Sequence, residues 1–320
     1  MSNKNQLISI IIPTFKGENT IEMLIKEIVK VCQDVNFEIV VVNDSSPDAS
    51  NEILLNLYNS YKNIITYVKL KKNSGEFNAV MAGLRNCKGE FAITVDDDLQ
   101  HPPDEVYKLI EHSMVSENDV TYTEFKKYNY SYTRNLLSKF YNFTANILLN
   151  KPKHIYLSSL KSIRRNIIDE ITKYKGNYAY IDALIFTSTN KIGTFLVNHQ
   201  SRKMGKSGYT LKKFAEHYGN LLFNFSTMPF KLIFNFGLFL SLALFINLIL
   251  IYFNIIKFKS FQIEDSILIS SIIFLAGIQI LFINFIKEKL LKYFKVDKIT
   301  NQYIVEFVKE NKKKKIKSNP

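Results

Sequence analysis

Residues 90–106 read EFAITVDDDLQHPPDEV. Glu90–Val95 is an apolar, β-rich run, Asp96–Asp98 are three consecutive carboxylates, and Pro103 opens a helical stretch that continues to Ser116. A strand that hands an acidic loop to a helix is the repeating unit of an open α/β sheet. Toward the N-terminus the same alternation recurs. Leu7–Pro13 (LISIIIP), Phe37–Asn43 (FEIVVVN) and Ile64–Leu70 (IITYVKL) are apolar strands, each followed by helical spacing over Glu18–Val31, Asp48–Tyr61 and Glu76–Asn86. Asp119–Thr123 reads as a short further strand. Continuous apolar strands separated by helices predict a mostly parallel sheet covered on both faces. Such sheets bind ligands at the carboxyl ends of their strands, near a switch in strand order. Thr14 and Glu18, Asn43 to Ser46, and Asp96 to Asp98 all fall at those ends, which points to a nucleotide-type site.

If the backbone stays extended past Val95, Asp96, Asp98 and Gln100 project to one side and Asp97 to the other. Two carboxylates and an amide oxygen on one side suit a hard divalent cation, Mg²⁺ or Mn²⁺, with phosphate oxygens completing its shell. The blander alternative is a solvated acidic turn that caps the following helix.

The chain has 320 residues, 42 Lys+Arg against 29 Asp+Glu for a net charge of +13, and 47% apolar residues. That composition excludes a disordered chain and is long enough for a large core. Two cysteines, Cys32 and Cys87, exclude a disulfide framework. The apolar run at the N-terminus is too short for a signal peptide. Two stretches free of charge, 25 residues over 232–256 and 21 over 266–286, are each long enough to cross a hydrocarbon core of about 30 Å. The tail from Lys287 carries eleven Lys and four acids, including Lys312–Lys315. The positive-inside rule then places the N-terminal region and the tail on the cytoplasmic side of an inner membrane, with a helical hairpin between them. The expected organisation is a cytoplasmic α/β domain over 1–230, a transmembrane hairpin over 231–286 and a basic cytoplasmic tail over 287–320. A basic excess beside an anchor is drawn to anionic lipid, so a nucleic-acid partner is not expected.

IIPTFKGEN (11–19), VVNDSSPDAS (41–50) and NSGEFNAVMAGLRNCKGEFAITVDDDLQHPPDEV (73–106), with RKMGKSGYT (202–210) and FSTMP (225–229), resemble the family 2 glycosyltransferases of the GT-A fold. The resemblance is to the branch that holds dolichyl-phosphate mannose synthases and undecaprenyl-phosphate sugar transferases. It implies a nucleotide-diphospho-sugar donor, with UDP the expected nucleotide. Pro13, Phe15 and Glu18 would line the base and ribose pocket, and Asp44 and Asp96 would contact the nucleoside. Asp98 and Gln100 would hold the cation. Arg202 and Ser207 would meet the diphosphate, with Gly205 allowing close approach and Tyr209 stacking nearby.

On the acceptor side, Arg134 matches the family position that binds the acceptor phosphate, with Lys126 or Lys127 near a second cationic position. Two aromatic, amphipathic segments, Tyr130–Leu149 and Tyr209–Leu222, suit either the membrane interface or packing on the sheet. Relatives carry an acid in a stretch that here reads HIYLSSLK (154–161), with Ile155 aligned to the acid. A phosphate acceptor is already anionic and needs no base, whereas a sugar hydroxyl needs one, for which Asp182 or His154 would have to serve. The leading expectation is an inverting, metal-dependent sugar transfer to polyprenyl phosphate for surface-glycan synthesis, with Asp96, Asp98 and Arg134 as its catalytic residues. Transfer to a hydroxyl of a lipid-linked glycan is the alternative, and a non-catalytic nucleotide-sugar-binding scaffold is a third reading. The resemblance also leaves room for a homo-oligomer.

Overall fold

The computed structural model describes residues 6–125, 146, 151–152, 155–176, 179–198, 228–252, 268, 271–280, 282–283, 286 and 303–311. The elements in chain order are β1 (Ile8–Thr14), α1 (Ile21–Val31), β2 (Phe37–Asn43), α2 (Ser50–Ser60), β3 (Ile65–Leu70), α3 (Glu76–Asn86), β4 (Phe91–Thr94), α4 (Pro103–Val115), β5 (Val120–Phe125), β6 (Lys161–Arg164), α5 (Arg165–Ile171), α6 (Ile181–Ser188), β7 (Ile192–Val197), α7 (Met228–Tyr252) and β8 (Val305–Lys309). The chain divides into two compact units, residues 1–214 with 300–320, and residues 215–299.

In the first unit eight strands form one sheet in the order β7-β5-β6-β4-β1-β2-β3-β8. The centre, β4-β1-β2-β3, is parallel throughout. β6 runs antiparallel to both β4 and β5, β7 is parallel to β5, and β8 is antiparallel to β3. The expected mostly parallel α/β sheet is therefore present. Strand order runs outward from β1 to β3, then jumps back to β4 on the other side of β1. That reversal is the switch point beside which such sheets open a crevice.

Side-chain alternation explains the layers. Ile8, Ile10 and Ile12 of β1 join Ile39, Val41 and Ile93 in a core that α1, α2 and α4 cover. α1 contributes Ile21, Leu24, Ile25 and Ile28, the i, i+3, i+4, i+7 pattern of one helical stripe. Ile11 and Val42 point the other way, toward α3, where a Cβ on Gly83 would collide with Ile11. At α3 the helix therefore lies closer to the sheet than any larger residue permits.

The C-terminal residues depart from the expected picture of 287–320 as a basic tail. Residues 303–311 return to the sheet, and β8 pairs with β3 from Tyr67↔Lys309 to Leu70↔Val305. The short alternating run VEFVK satisfies the backbone groups of an otherwise open edge.

In the second unit α7 is a 25-residue helix. Taken over the described residues, no helix is long and apolar enough to cross a membrane. The expected spans 232–256 and 266–286 extend into residues outside those described.

Candidate active site

β1 and β4 lie side by side, with Ile11 opposite Thr94, so the loops that follow them meet at the switch point. After β1 the chain turns through Lys16, whose φ is 62°, and enters α1. Thr14 Oγ1 donates to Asp97 Oδ2, tying this turn to the acidic loop. A Cβ on Gly17 would lie 2.6 Å from that same Asp97 oxygen, so a glycine is what permits the close approach.

The acidic loop is not extended. Leu99 has φ 59° and its side chain is buried, which reverses the chain between Asp98 and Gln100. The single row of Asp96, Asp98 and Gln100 expected from strand alternation is therefore replaced by a turn. Asp98 Oδ1 accepts the Gln100 backbone N–H at 3.1 Å, and Asp98 Oδ2 accepts the Gln100 amide at 2.9 Å. Asp96 turns elsewhere, accepting the Ser159 hydroxyl at 2.5 Å, with His101 Nε2 3.3 Å from the same hydroxyl oxygen. Desolvation holds the Asp96 carboxyl above its ordinary value, and the Asp98 charge adds to this against the pull of His101, Ser159 and Lys161.

Among the described residues no group of three His, Cys, Asp or Glu side chains is arranged to hold a metal ion. The donor chemistry nevertheless fits a hard cation that is only partly held by protein. Asp98 offers carboxylate oxygens with the Gln100 amide beside them, and Mg²⁺-type ions characteristically take most of their shell from substrate phosphates and water.

On the other side of β1, the loops after β1 and β2 are stitched together. Lys16 N–H donates to Ser46 Oγ at 3.1 Å, Gly17 N–H to Ser50 Oγ at 3.0 Å, and Ala49 N–H to Glu18 Oε2 at 3.0 Å. Glu18 thus braces the start of α2. Pro13 is buried at the end of β1, while Phe15 is 44% exposed beside it, an aromatic face open to a ligand. Asp44 is only 2% exposed. Its two oxygens accept Ser74 N–H at 2.7 Å and Gly75 N–H at 2.9 Å, fixing the loop that precedes α3. Burial raises its carboxyl from the ordinary value, against those two hydrogen bonds. Pro13, Phe15, Glu18, Asp44, Asp96, Asp98 and Gln100 thus all lie at the carboxyl ends of β1, β2 and β4 or on the loops that follow them. Lys126, Lys127, Arg134, His154, Arg202, Ser207 and Tyr209 lie outside the described residues.

The surroundings of several positions escaped the sequence reading. Ile155, aligned there to the relatives' acid, is buried, and its carbonyl accepts Lys151 Nζ. Ser159 is the residue of that stretch that reaches the acidic loop. Behind it, Lys161 of β6 forms a buried ion pair with Asp182 of α6, and Tyr122 of β5 donates to the same Asp182 oxygen at 2.8 Å. Glu76, at the start of α3, feels this cluster too. Although its surface meets solvent, its carboxyl is held above the ordinary value, first by the protein crowded around it and next by Asp96, against Lys161. Alternation along β6, a strand the sequence reading did not assign, would have paired Ser159 with Lys161.

A sequence model described as glycosyl transferase family 2 matches residues 9–172, half of the chain. An undecaprenyl-phosphate 4-deoxy-4-formamido-L-arabinose transferase of Pectobacterium carotovorum subsp. carotovorum (strain PC1) is 29% identical over 228 residues, covering 71% of this chain and 69% of the relative. The transferase of the same name from Proteus mirabilis (strain HI4320) is 28% identical over 247 residues, 76% of this chain and 75% of the relative. Among solved structures, glucosyl-3-phosphoglycerate synthase from Mycobacterium tuberculosis superposes with a TM-score of 0.51 at 13% identity, over 70% of this chain and 81% of that one. That likeness shows the GT-A fold. With the matched residues spanning the strands that meet at the switch point, the chain belongs to glycosyltransferase family 2 and is a glycosyltransferase.

Proposed function

We propose that the protein moves a sugar from a nucleotide diphosphate, with UDP the expected nucleotide, to a polyprenyl phosphate at a membrane surface. The acceptor class is supported by the relatives, whose names specify undecaprenyl phosphate. The observation that carries the choice of a phosphate over a hydroxyl is the state of Asp182. A hydroxyl acceptor needs a base, and Asp182, the acid considered for that role, is 5% exposed and holds both the Lys161 ammonium and the Tyr122 hydroxyl. Taking a proton from an incoming substrate would break a buried ion pair. Ser159, not a carboxylate, stands between this cluster and Asp96. A phosphate arrives ionised and asks only for positioning and charge complementarity.

In this reading Phe15, Asp44 and Asp96 border the nucleoside, while Asp98 faces the diphosphate. Asp98 with Gln100 would hold Mg²⁺ or Mn²⁺, which supplies charge neutralisation on the leaving diphosphate. Arg134 with Lys126 and Lys127, and Arg202 with Ser207 and Tyr209, are proposed to meet the acceptor phosphate and the donor diphosphate.

Membrane anchoring belongs to the same proposal. On α7, Phe236 and Phe239 are 66% and 69% exposed, and Leu242, Phe245 and Ile246 are exposed as well. Ser241 meets Gly277 so closely that a Cβ there would lie 2.6 Å from its hydroxyl, and Phe245 packs near Phe274. Small residues at the helix contact with large apolar ones outside is the arrangement of helices in lipid.

The test is transfer itself. Membranes holding the protein are incubated with radiolabelled nucleotide sugars and undecaprenyl phosphate, with and without Mn²⁺. Metal-dependent label in the organic phase, released by mild acid, is expected. Label that appears only when a glycosylated lipid is supplied would move the acceptor to a hydroxyl.

A further inference from the structure

The C-terminal strand does more than close a sheet edge. Phe307 of β8 packs edge-on against Tyr67 of β3, with ring centroids 5.3 Å apart at 82°. Tyr67 is fully buried, and its hydroxyl, pushed up to about 12 chiefly by burial, is a hydrogen-bonding group at every working pH. It accepts Asn43 Nδ2 at 3.1 Å and donates to Asn51 Oδ1 at 2.8 Å. The Asn43 amide is thereby oriented so that its Oδ1 accepts Ser46 N–H at 2.8 Å. That bond closes a turn in which Ser45 has φ 58°, a conformation a serine adopts only when held. Ser46 Oγ in turn receives the Lys16 N–H, next to Phe15. Asp44 sits inside this same turn.

We propose that β8 is a positioning element for the donor site, acting through Phe307, Tyr67 and Asn43 on the turn that presents Asp44 and steadies Phe15. The proposal rests on the reading of this site as the nucleotide pocket. Phe307 touches no substrate; it fixes the ring whose hydroxyl fixes the turn.

The anchoring of residues 303–311 is independent of Phe307. Lys71 N–H donates to the Ile304 carbonyl at 2.8 Å, Tyr58 OH to the Glu310 carbonyl at 3.1 Å, and Asn311 to Thr66 and Glu38. A single ring can therefore be removed without releasing the strand.

The experiment measures binding of UDP and of GDP, each with Mn²⁺, by calorimetry on the detergent-solubilised full chain, and KM and kcat for transfer. The variants are Phe307→Ala, Phe307→Tyr and Tyr67→Phe. Phe307→Ala and Tyr67→Phe are expected to weaken nucleotide binding and raise the donor KM about five- to tenfold, the effect of one lost orienting hydrogen bond, with kcat within about twofold. Phe307→Tyr, which keeps the ring contact, is expected to bind as the wild type. Wild-type nucleotide affinity in Phe307→Ala and Tyr67→Phe overturns the proposal, whatever happens to their melting temperatures. A wild-type protein that binds neither nucleotide overturns the pocket reading first, and this proposal with it.

Discussion

The buried pair Lys161–Asp182 makes the sharpest test of how the acceptor reacts. Both side chains are only 8% exposed, and Tyr122, fully buried, shares the Asp182 oxygen. Asp182→Asn leaves the Lys161 ammonium enclosed without a counter-ion, which costs about 3–5 kcal/mol. For a unit of this size that is a fall in Tm of about 6–20 °C. Lys161→Met leaves Asp182 with the tyrosine hydroxyl alone and is expected to cost a similar amount. The pair Lys161→Met with Asp182→Leu removes both charges, leaving mainly an unpartnered Tyr122 hydroxyl at about 1–3 kcal/mol, so the double variant is expected to be more stable than either single one. Adding Tyr122→Phe should recover most of the remainder. The chain has no tryptophan, so unfolding is followed by far-UV circular dichroism, with transfer measured on the same samples. The reasoning is refuted if Asp182→Asn melts like the wild type while transfer falls by about 10²–10⁴, the loss typical of a general base. Asp182 would then be the base, and the acceptor a hydroxyl.

Three further outcomes are expected. Asp98→Ala abolishes Mn²⁺-dependent transfer while Tm stays near that of the wild type; retained transfer would remove Asp98 from the cation site. Gly17→Ala forces the β1–α1 turn away from Asp97, costing about 1–3 kcal/mol and lowering activity, as thermal melts and initial rates will show. Asp96→Asn abolishes transfer yet raises the Tm of the metal-free protein at neutral pH. Here the sign follows from the raised Asp96 carboxyl. An acid with a raised folded-state pKa favours folding below its unfolded value and loses that contribution as pH rises through the folded one, so at neutral pH its ionised form opposes folding. Melting curves over pH 4–8 should show the difference between Asp96→Asn and wild type shrinking toward acid; a difference that grows toward acid would contradict this.

The central fold was legible because its signals are local. Apolar runs gave β1 to β4 within a residue or so of Ile8–Thr14, Phe37–Asn43, Ile65–Leu70 and Phe91–Thr94, and helical spacing gave α1 to α4. Elements that depend on distant partners were not legible. β6 is four residues long and antiparallel on both sides, too short for periodicity to stand out. β8 lies just ahead of a lysine run, and the charge drew the reading away from the alternation in VEFVK. At the candidate site, the strand-end placement of these residues was legible, but their geometry was not. A left-handed Leu99 cannot be read from composition, and it converts an expected row of ligands into a turn centred on Asp98. Ser159 was invisible for a related reason, since only the pairing of β6 with β4 brings it to Asp96.

The buried Glu38 carboxylate of β2 receives Ser9 Oγ, Lys88 N–H and, from the far end of the chain, Asn311 Nδ2. A shortened protein that stops ahead of residue 215 would strip that carboxylate of a donor and leave β3 bare. In the order of the chain, residues 215–299 are an insertion within the sheet-bearing unit, so trimming the gene's end also removes a strand of the sheet.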